Sequence, residues 1–251
     1  SEFGWTSGPA LNIVTKSGTN SPHGELLFMI RPGDWQSKTF STKGFCPPSV
    51  PSCVTPTTLT AINPVDIPDA LKQGSATIGG PVIKDKTFFF ATSDYTAQDR
   101  TTFLSNSLPA FLLPSDGHLD YTGHYRQFLF NGRVDHKLTS NQTLTGRFNI
   151  DRFYDDNPQD AVGGTNAPSV ARKYSRRSWT AQLNHTSVIN ANLLNEARIA
   201  YLNGDPVTKW EAKNLTTTYT RAGNVPFTIG QSRQSDIYSR QTQISDTLSW
   251  T

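Results

Sequence analysis

The chain has 251 residues, with 23 Lys+Arg against 20 Asp+Glu and a formal net charge of +3. Charged residues make up only 17% and aromatic residues 11%, which excludes a disordered chain, and the small net charge argues against a nucleic-acid binder. The longest apolar run, residues 26–30, is far short of the about 20 residues of a membrane-crossing helix, and two cysteines cannot build a four-cysteine zinc site.

The chain opens at Ser1 without a charged-then-apolar leader, so it reads as a processed chain or an internal piece. Beyond that, short period-two stretches alternate with Gly, Pro and Asn punctuation, the pattern of strands and turns. Strands are expected at residues 24–31, 75–82, 87–95, 127–136, 143–153, 178–188, 193–203 and 238–250. The clearest pair is 127–136 with 143–153. Phe128, Phe130 and Val134 share one face, and Gln127, Asn131, Arg133 and Asp135 share the other. In its partner, Leu144, Phe148 and Ile150 oppose Thr143, Thr145, Arg147, Asn149 and Asp151. The first strand differs: residues 26–30 are apolar on both sides, so one side should pack on protein rather than water.

Connection lengths alternate. Residues 84–86, 137–142 and 190–192 are tight polar turns, whereas 32–72, 102–123, 155–173 and 204–236 are long. Short turns at one end and long loops at the other characterise a membrane-spanning β-barrel, whose strands need about 9–11 residues. The fold class expected is therefore all-β: an antiparallel transmembrane barrel, polar inside and apolar outside. The alternative is a secreted or surface β-sandwich, an adhesin or glycan-binding module using Trp35 and Trp210 on the loops. It would bury the same apolar faces between two sheets.

Several clusters invite a functional reading. Cys46 and Cys53 lie in the first long loop and read as a disulfide, with two free thiols as the alternative. Asp151, Asp155, Asp156, Asn157 and Asp160 have the oxygen density of a calcium site but not its known spacing, and a solvated acidic loop is the plainer reading. Arg172, Lys173, Arg176 and Arg177, with Tyr174 among them, would meet lipopolysaccharide phosphates, an anionic ligand or simply water. Phe88, Phe89, Phe90, Phe153, Tyr154, Tyr174, Trp179, Tyr201, Tyr238 and Trp250 lie near strand ends and read as interfacial girdles. Lumen-facing Arg133, Asp135, Arg147, Asn149 and Asp151 are the ligand-lining candidates. No nucleophile elbow, phosphate loop or metal-binding histidine spacing occurs, so no enzyme, cofactor or metal is expected.

Residues 8–20 (GPALNIVTKSGTN), followed by His23-Gly24, resemble the end of the plug domain in TonB-dependent outer-membrane receptors of the Oar-like branch. Residues 79–90 (GGPVIKDKTFFF) and 131–139 (NGRVDHKLT) are similar to the barrel strands and periplasmic turn that follow there, and residues 246–251 (DTLSWT) also resemble that branch. The resemblance implies that residues 1–22 end a plug and residues 23–251 begin a larger barrel of 22 strands. It implies a bacterial outer-membrane location and contact with membrane lipid and lipopolysaccharide. It further implies uptake of an unknown solute or peptide, energised by TonB through an N-terminal part outside this chain.

Overall fold

The computed structural model describes residues 16–35, 69–104, 108, 110–112, 120–157, 161–210, 217–219, 227–230 and 235–250. Cys46, Cys53, Asp160 and residues 8–15 of the junction motif lie outside them. One antiparallel sheet runs in chain order through β1 His23–Arg31, β2 Ala70–Ile83, β3 Thr87–Phe103, β4 Asp120–Thr139, β5 Gln142–Asp155, β6 Arg172–Asn190 and β7 Leu193–Trp210. A small separate hairpin pairs β8 Thr217–Tyr219 with β9 Phe227–Ile229. Then β10 Ser235–Asp236 and β11 Ser239–Trp250 lie end to end along β7.

All the tight turns gather at one end. Ser140–Asn141 joins β4 to β5 and Ala191–Asn192 joins β6 to β7. These two turns are tied together, because the Asn141 side-chain amide donates to Val188 O at 2.9 Å and Val188 N donates to Asn141 O at 2.9 Å. In the β2–β3 turn, Asp85 takes a positive φ of 61°. Asn20 holds it from outside the sheet: its Oδ1 accepts from Asp85 N at 2.9 Å and its Nδ2 donates to Asp85 Oδ1 at 2.5 Å. Gly18 lies against the backbone there, where a Cβ would sit 2.8 Å from Gly80 O. The segment entering β1 is thus fastened to the first tight turn.

At the loop end, the strands run further than the sequence suggested. β4 has 20 residues and β6 has 19. At about 3.3 Å per residue, β4 is about one and a half times the length needed to cross a bilayer core of about 30 Å with a strand tilted near 45°. The extensions are Thr-, Tyr- and Arg-rich stretches (residues 99–103, 120–126 and 172–177), with β-propensity but without apolar alternation. Alternation fades where the apolar surroundings end, and strand pairing does not.

The register sorts the two faces. Phe130 sits opposite Ile150, which sits opposite Trp179, and Val134, Gly146, Leu183 and Ile199 follow the same face. That apolar face is uncovered: Leu26 is 86% exposed, Ile244 75% and Trp179 37%. Among the described residues no second sheet packs on it, as a sandwich would require. Such a face is stable only where lipid replaces water.

The buried apolar core lies instead between the long connections. Leu104, Val162, Leu108 and Ala171 are buried together, with Leu112, Tyr121 and Phe227 packed against them. Main-chain bonds lace the same connections: Ala167 N donates to Thr228 O and Thr228 N to Thr165 O, both at 2.9 Å. The sheet is a wall, and the described parts of the connections between β3 and β4, β5 and β6, and β7 and β10 pack into a cap at one end. Leu104→Ala should cost the cap about 2–4 kcal/mol through the cavity it leaves. Limited proteolysis of intact cells should then cut within the cap, while the heat-modifiable gel mobility of the wall stays unchanged.

Candidate binding face at the loop end of the sheet

Successive side chains on a strand point to opposite faces, and the register brings all odd-numbered positions of β4 and β5 onto the polar face. Arg133, Asp135, Arg147, Asn149 and Asp151 therefore share it. They divide into two groups. Near the tight turns, Arg133 Nε donates to Asp135 Oδ2 at 2.8 Å, and Thr145 Oγ1 donates to Asp135 Oδ1 at 2.7 Å. Arg147 stands directly opposite Arg133, and Asn149 opposite Asn131. The Arg147 Nε is buried without a hydrogen-bond partner among the described residues.

Asp151 belongs to the other group, at the loop end. There Tyr125, Phe153 and Tyr174 form a ladder across β4, β5 and β6. Tyr125 and Phe153 meet edge to face at 5.0 Å, and Phe153 and Tyr174 at 5.4 Å. Arg176 lies 5.4 Å from the Phe153 ring centre and Arg100 5.9 Å from that of Tyr125. Each guanidinium is also anchored to a carboxylate: Arg176 to Asp151 at 2.5 Å, and Arg100 to Asp155 at 2.6 Å. Gln127 links the sets, donating to Asp151 Oδ1 at 3.2 Å and accepting from the Tyr125 hydroxyl at 2.7 Å. Burial, reinforced by the Asp151 and Asp155 charges against those of Arg176 and Arg100, pushes the Tyr125 phenol up, so it stays a hydrogen-bond donor.

The cap braces this ladder. Asp155 is buried and accepts from Asn157 N at 3.0 Å, and Asn157 Oδ1 accepts from Val162 N at 3.0 Å. Gly123 makes room for Asn157, since a Cβ there would sit 2.6 Å from the Asn157 Cβ. Asp156 accepts from His124 N at 2.5 Å. Asp151, Asp155 and Asp156 thus each have a protein partner, and among the described residues no three His, Cys, Asp or Glu side chains group as metal ligands.

The register also corrects two sequence expectations. Phe88, Phe90, Phe153 and Tyr174 lie on the polar face, and only Phe89, Tyr154, Trp179, Tyr201 and Trp250 lie on the apolar one. Only the second set lies on the face that a girdle requires, because neighbours in a strand point oppositely, and Tyr238 is exposed outside the strands. The basic run is split in the same way: Arg172 and Arg176 fall on the polar face, Lys173 and Arg177 on the apolar side. Trp35 is exposed at the end of the short 3-10 turn Gly33–Trp35, and the Trp210 side chain lies outside the described part. The ladder itself escaped sequence reading, because Tyr125, Tyr174 and Arg176 fell beyond the expected strand ends. Its signal is positional: pairing Gln127 with Phe153 and Phe153 with Arg176 places the three rings in adjacent rows.

On the apolar face, a charged collar interrupts the outward apolar rows toward the loop end, with Tyr154 on β5 and Phe103 on β3 lying beyond it. Asp99 follows Ala97, Arg126 precedes Phe128, Arg152 follows Ile150 and Arg177 precedes Trp179. Asp99 is held by Arg126 at 2.8 Å and by His124 Nδ1 at 2.9 Å. Burial pushes its carboxyl up, but the bonds and charges of His124 and Arg126 outweigh that and hold it below 3.8. Its tie is therefore whole above pH 3.8 and is lost as pH falls through the lowered folded value. In detergent-solubilised protein, Asp99→Asn should lower the thermal midpoint at neutral pH, with the gap to wild type closing as pH drops below 3.8.

A family model described as an outer membrane beta barrel domain matches residues 14–119 and 118–251. The chain is similar to the TonB-dependent transporter Oar of Myxococcus xanthus, with 34% identity over 92 residues. That stretch covers 36% of this chain and 7% of the transporter's length. No solved structure matches the chain.

Proposed function

The chain belongs to the outer membrane beta-barrel family, and from that membership we propose that it forms part of the wall of a TonB-dependent receptor. Its place is the bacterial outer membrane. The receptor captures a scarce solute or peptide at the cell surface and admits it by energised uptake, without catalysing a reaction. The observation that carries this reading is the ring ladder Tyr125–Phe153–Tyr174 on the polar face, at the capped loop end. Two guanidiniums and two carboxylates are fixed beside rings that present π-faces and edges. That combination suits a ligand with a flat or ring-shaped apolar part and several hydrogen-bonding groups, such as a siderophore, an oligosaccharide or an aromatic peptide.

Other features support the same reading. The first strand turns Leu27 and Met29 toward the polar face, 58% and 45% exposed; a plug inside the barrel would cover them. The Asn20–Asp85 clamp suits a junction between plug and wall, with residues 1–22 on the plug side. Strands β1 and β11 each pair on one side only among the described residues, so in lipid they call for neighbouring strands that close the wall.

The test is growth on single scarce solutes supplied one at a time: ferric siderophores, cobalamin, oligosaccharides and peptides. Deleting the protein should abolish use of one of them at low concentration, and cells lacking TonB should fail on the same one. The double variant Phe153→Ala/Tyr174→Ala should raise the concentration required about tenfold, as loss of two aromatic contacts implies. Growth on every solute in the deletion strain, or equal growth with and without TonB, would overturn energised uptake.

A further inference from the structure

The outward collar is balanced on one side and unbalanced on the other. At β3–β4 its charges are paired, Asp99 with Arg126 and His124. At β5–β6, Arg152 and Arg177 stand directly opposite each other across the strands. Both are exposed, and neither has a hydrogen bond or ion pair among the described residues. Like charges directly opposite in a sheet destabilise it. The neighbouring strands do not cancel them. Asp205, opposite Arg177, supplies one negative charge, while Arg240, opposite Asn203 on β11, adds another positive one.

These two arginines overhang an open depression of about 480 Å³ on the apolar face, floored by Phe148, Ile150 and Trp179. Asn203 and Asp205 line its far side, offering acceptors to hydroxyl groups. The sequence of environments along β5 and β6 is therefore aliphatic and aromatic, then two guanidiniums, then the extramembrane extension. A molecule filling it must have acyl chains below, an anionic group at the height of the guanidiniums, and hydroxyls toward β7.

We propose that Arg152 and Arg177 form a binding site for a phosphate-bearing glycolipid headgroup of the outer leaflet, whose acyl chains lie along Phe148, Ile150 and Trp179. Guanidinium pairs with phosphate in bidentate fashion, and one phosphate between the two arginines turns their mutual repulsion into a shared contact. This rests on the outer-membrane barrel reading, and it adds a lipid site on the opposite face from the solute ladder.

The test uses the full-length protein purified in mild detergent and transferred to phosphatidylcholine nanodiscs. The discs are made without lipid A, with lipid A, or with lipid A stripped of its phosphates. Bound lipid A is measured by native mass spectrometry, and protection by thermal midpoint. Wild type should retain lipid A and melt higher with it. The variant Arg152→Gln/Arg177→Gln should retain it at least about tenfold less, the loss expected from charge-assisted bonds at two guanidiniums. Arg198→Gln, on the polar face, should match wild type. Equal retention by wild type and the double variant would overturn the site, as would equal retention of the dephosphorylated lipid. Protection by inorganic phosphate alone, equal to that by lipid A, would overturn the lipid as occupant. Failure of the barrel reading shows separately, as wild type and variants alike failing to insert in the discs.

Discussion

A backbone in hydrocarbon has no water to bond with, and each unpaired amide or carbonyl costs several kcal/mol there. That constraint explains why the wall is one unbroken antiparallel ladder from β1 to β11, interrupted in register only beside the tight turns, at Pro81/Ile83, Lys137/Thr139 and Val188/Asn190. It also explains where the packed core went. A single sheet between lipid and a wet interior needs no core of its own, so the buried apolar residues gather in the cap around Leu104 and Val162.

Once pairing is fixed, alternation decides the rest. Each strand delivers one set of side chains to lipid and the other to the interior, and the two sets meet different problems. The interior set carries several charges that neutralise one another, as Arg133 does with Asp135 and Arg176 with Asp151, while Arg147 faces Arg133. The outward set is apolar along most of the strands and carries a band of charge toward the loop end. The ladder and the collar stand back to back at about the same height: Phe153 sits beside Arg152 and Tyr154 in sequence, and Arg176 beside Arg177. The ring ladder on the polar face and the charged collar on the apolar face are thus adjacent features of the same four strands.

The wall was legible in the sequence because lipid imposes period two wherever it touches. Phe128, Phe130 and Val134, with Leu144, Phe148 and Ile150, mark their face plainly, and the alternation of short and long connections marks the two ends. The strand extensions were not legible. Above the membrane both faces are wet, so residues such as Thr101, His124 and Arg126 alternate nothing and look like loop. Tyr125, Tyr174 and Arg176 were lost with them. Phe153 lay inside an expected strand, yet a girdle ring and an interior ring differ only by which neighbour each pairs with, a fact of register rather than composition.

The most direct measurement is a cysteine scan along β5, residues 144–153, in a background with Cys46 and Cys53 replaced by serine, in intact outer membranes. Each position is tested with a water-soluble maleimide and with a fluorophore quenched by brominated lipid. A lipid-embedded wall gives strict alternation: water-borne labelling at 145, 147, 149, 151 and 153, and lipid quenching at 144, 146, 148 and 150. Reversed alternation, or labelling at every position alike, would contradict a barrel wall with Phe148 and Ile150 in lipid and Arg147 and Asn149 in water.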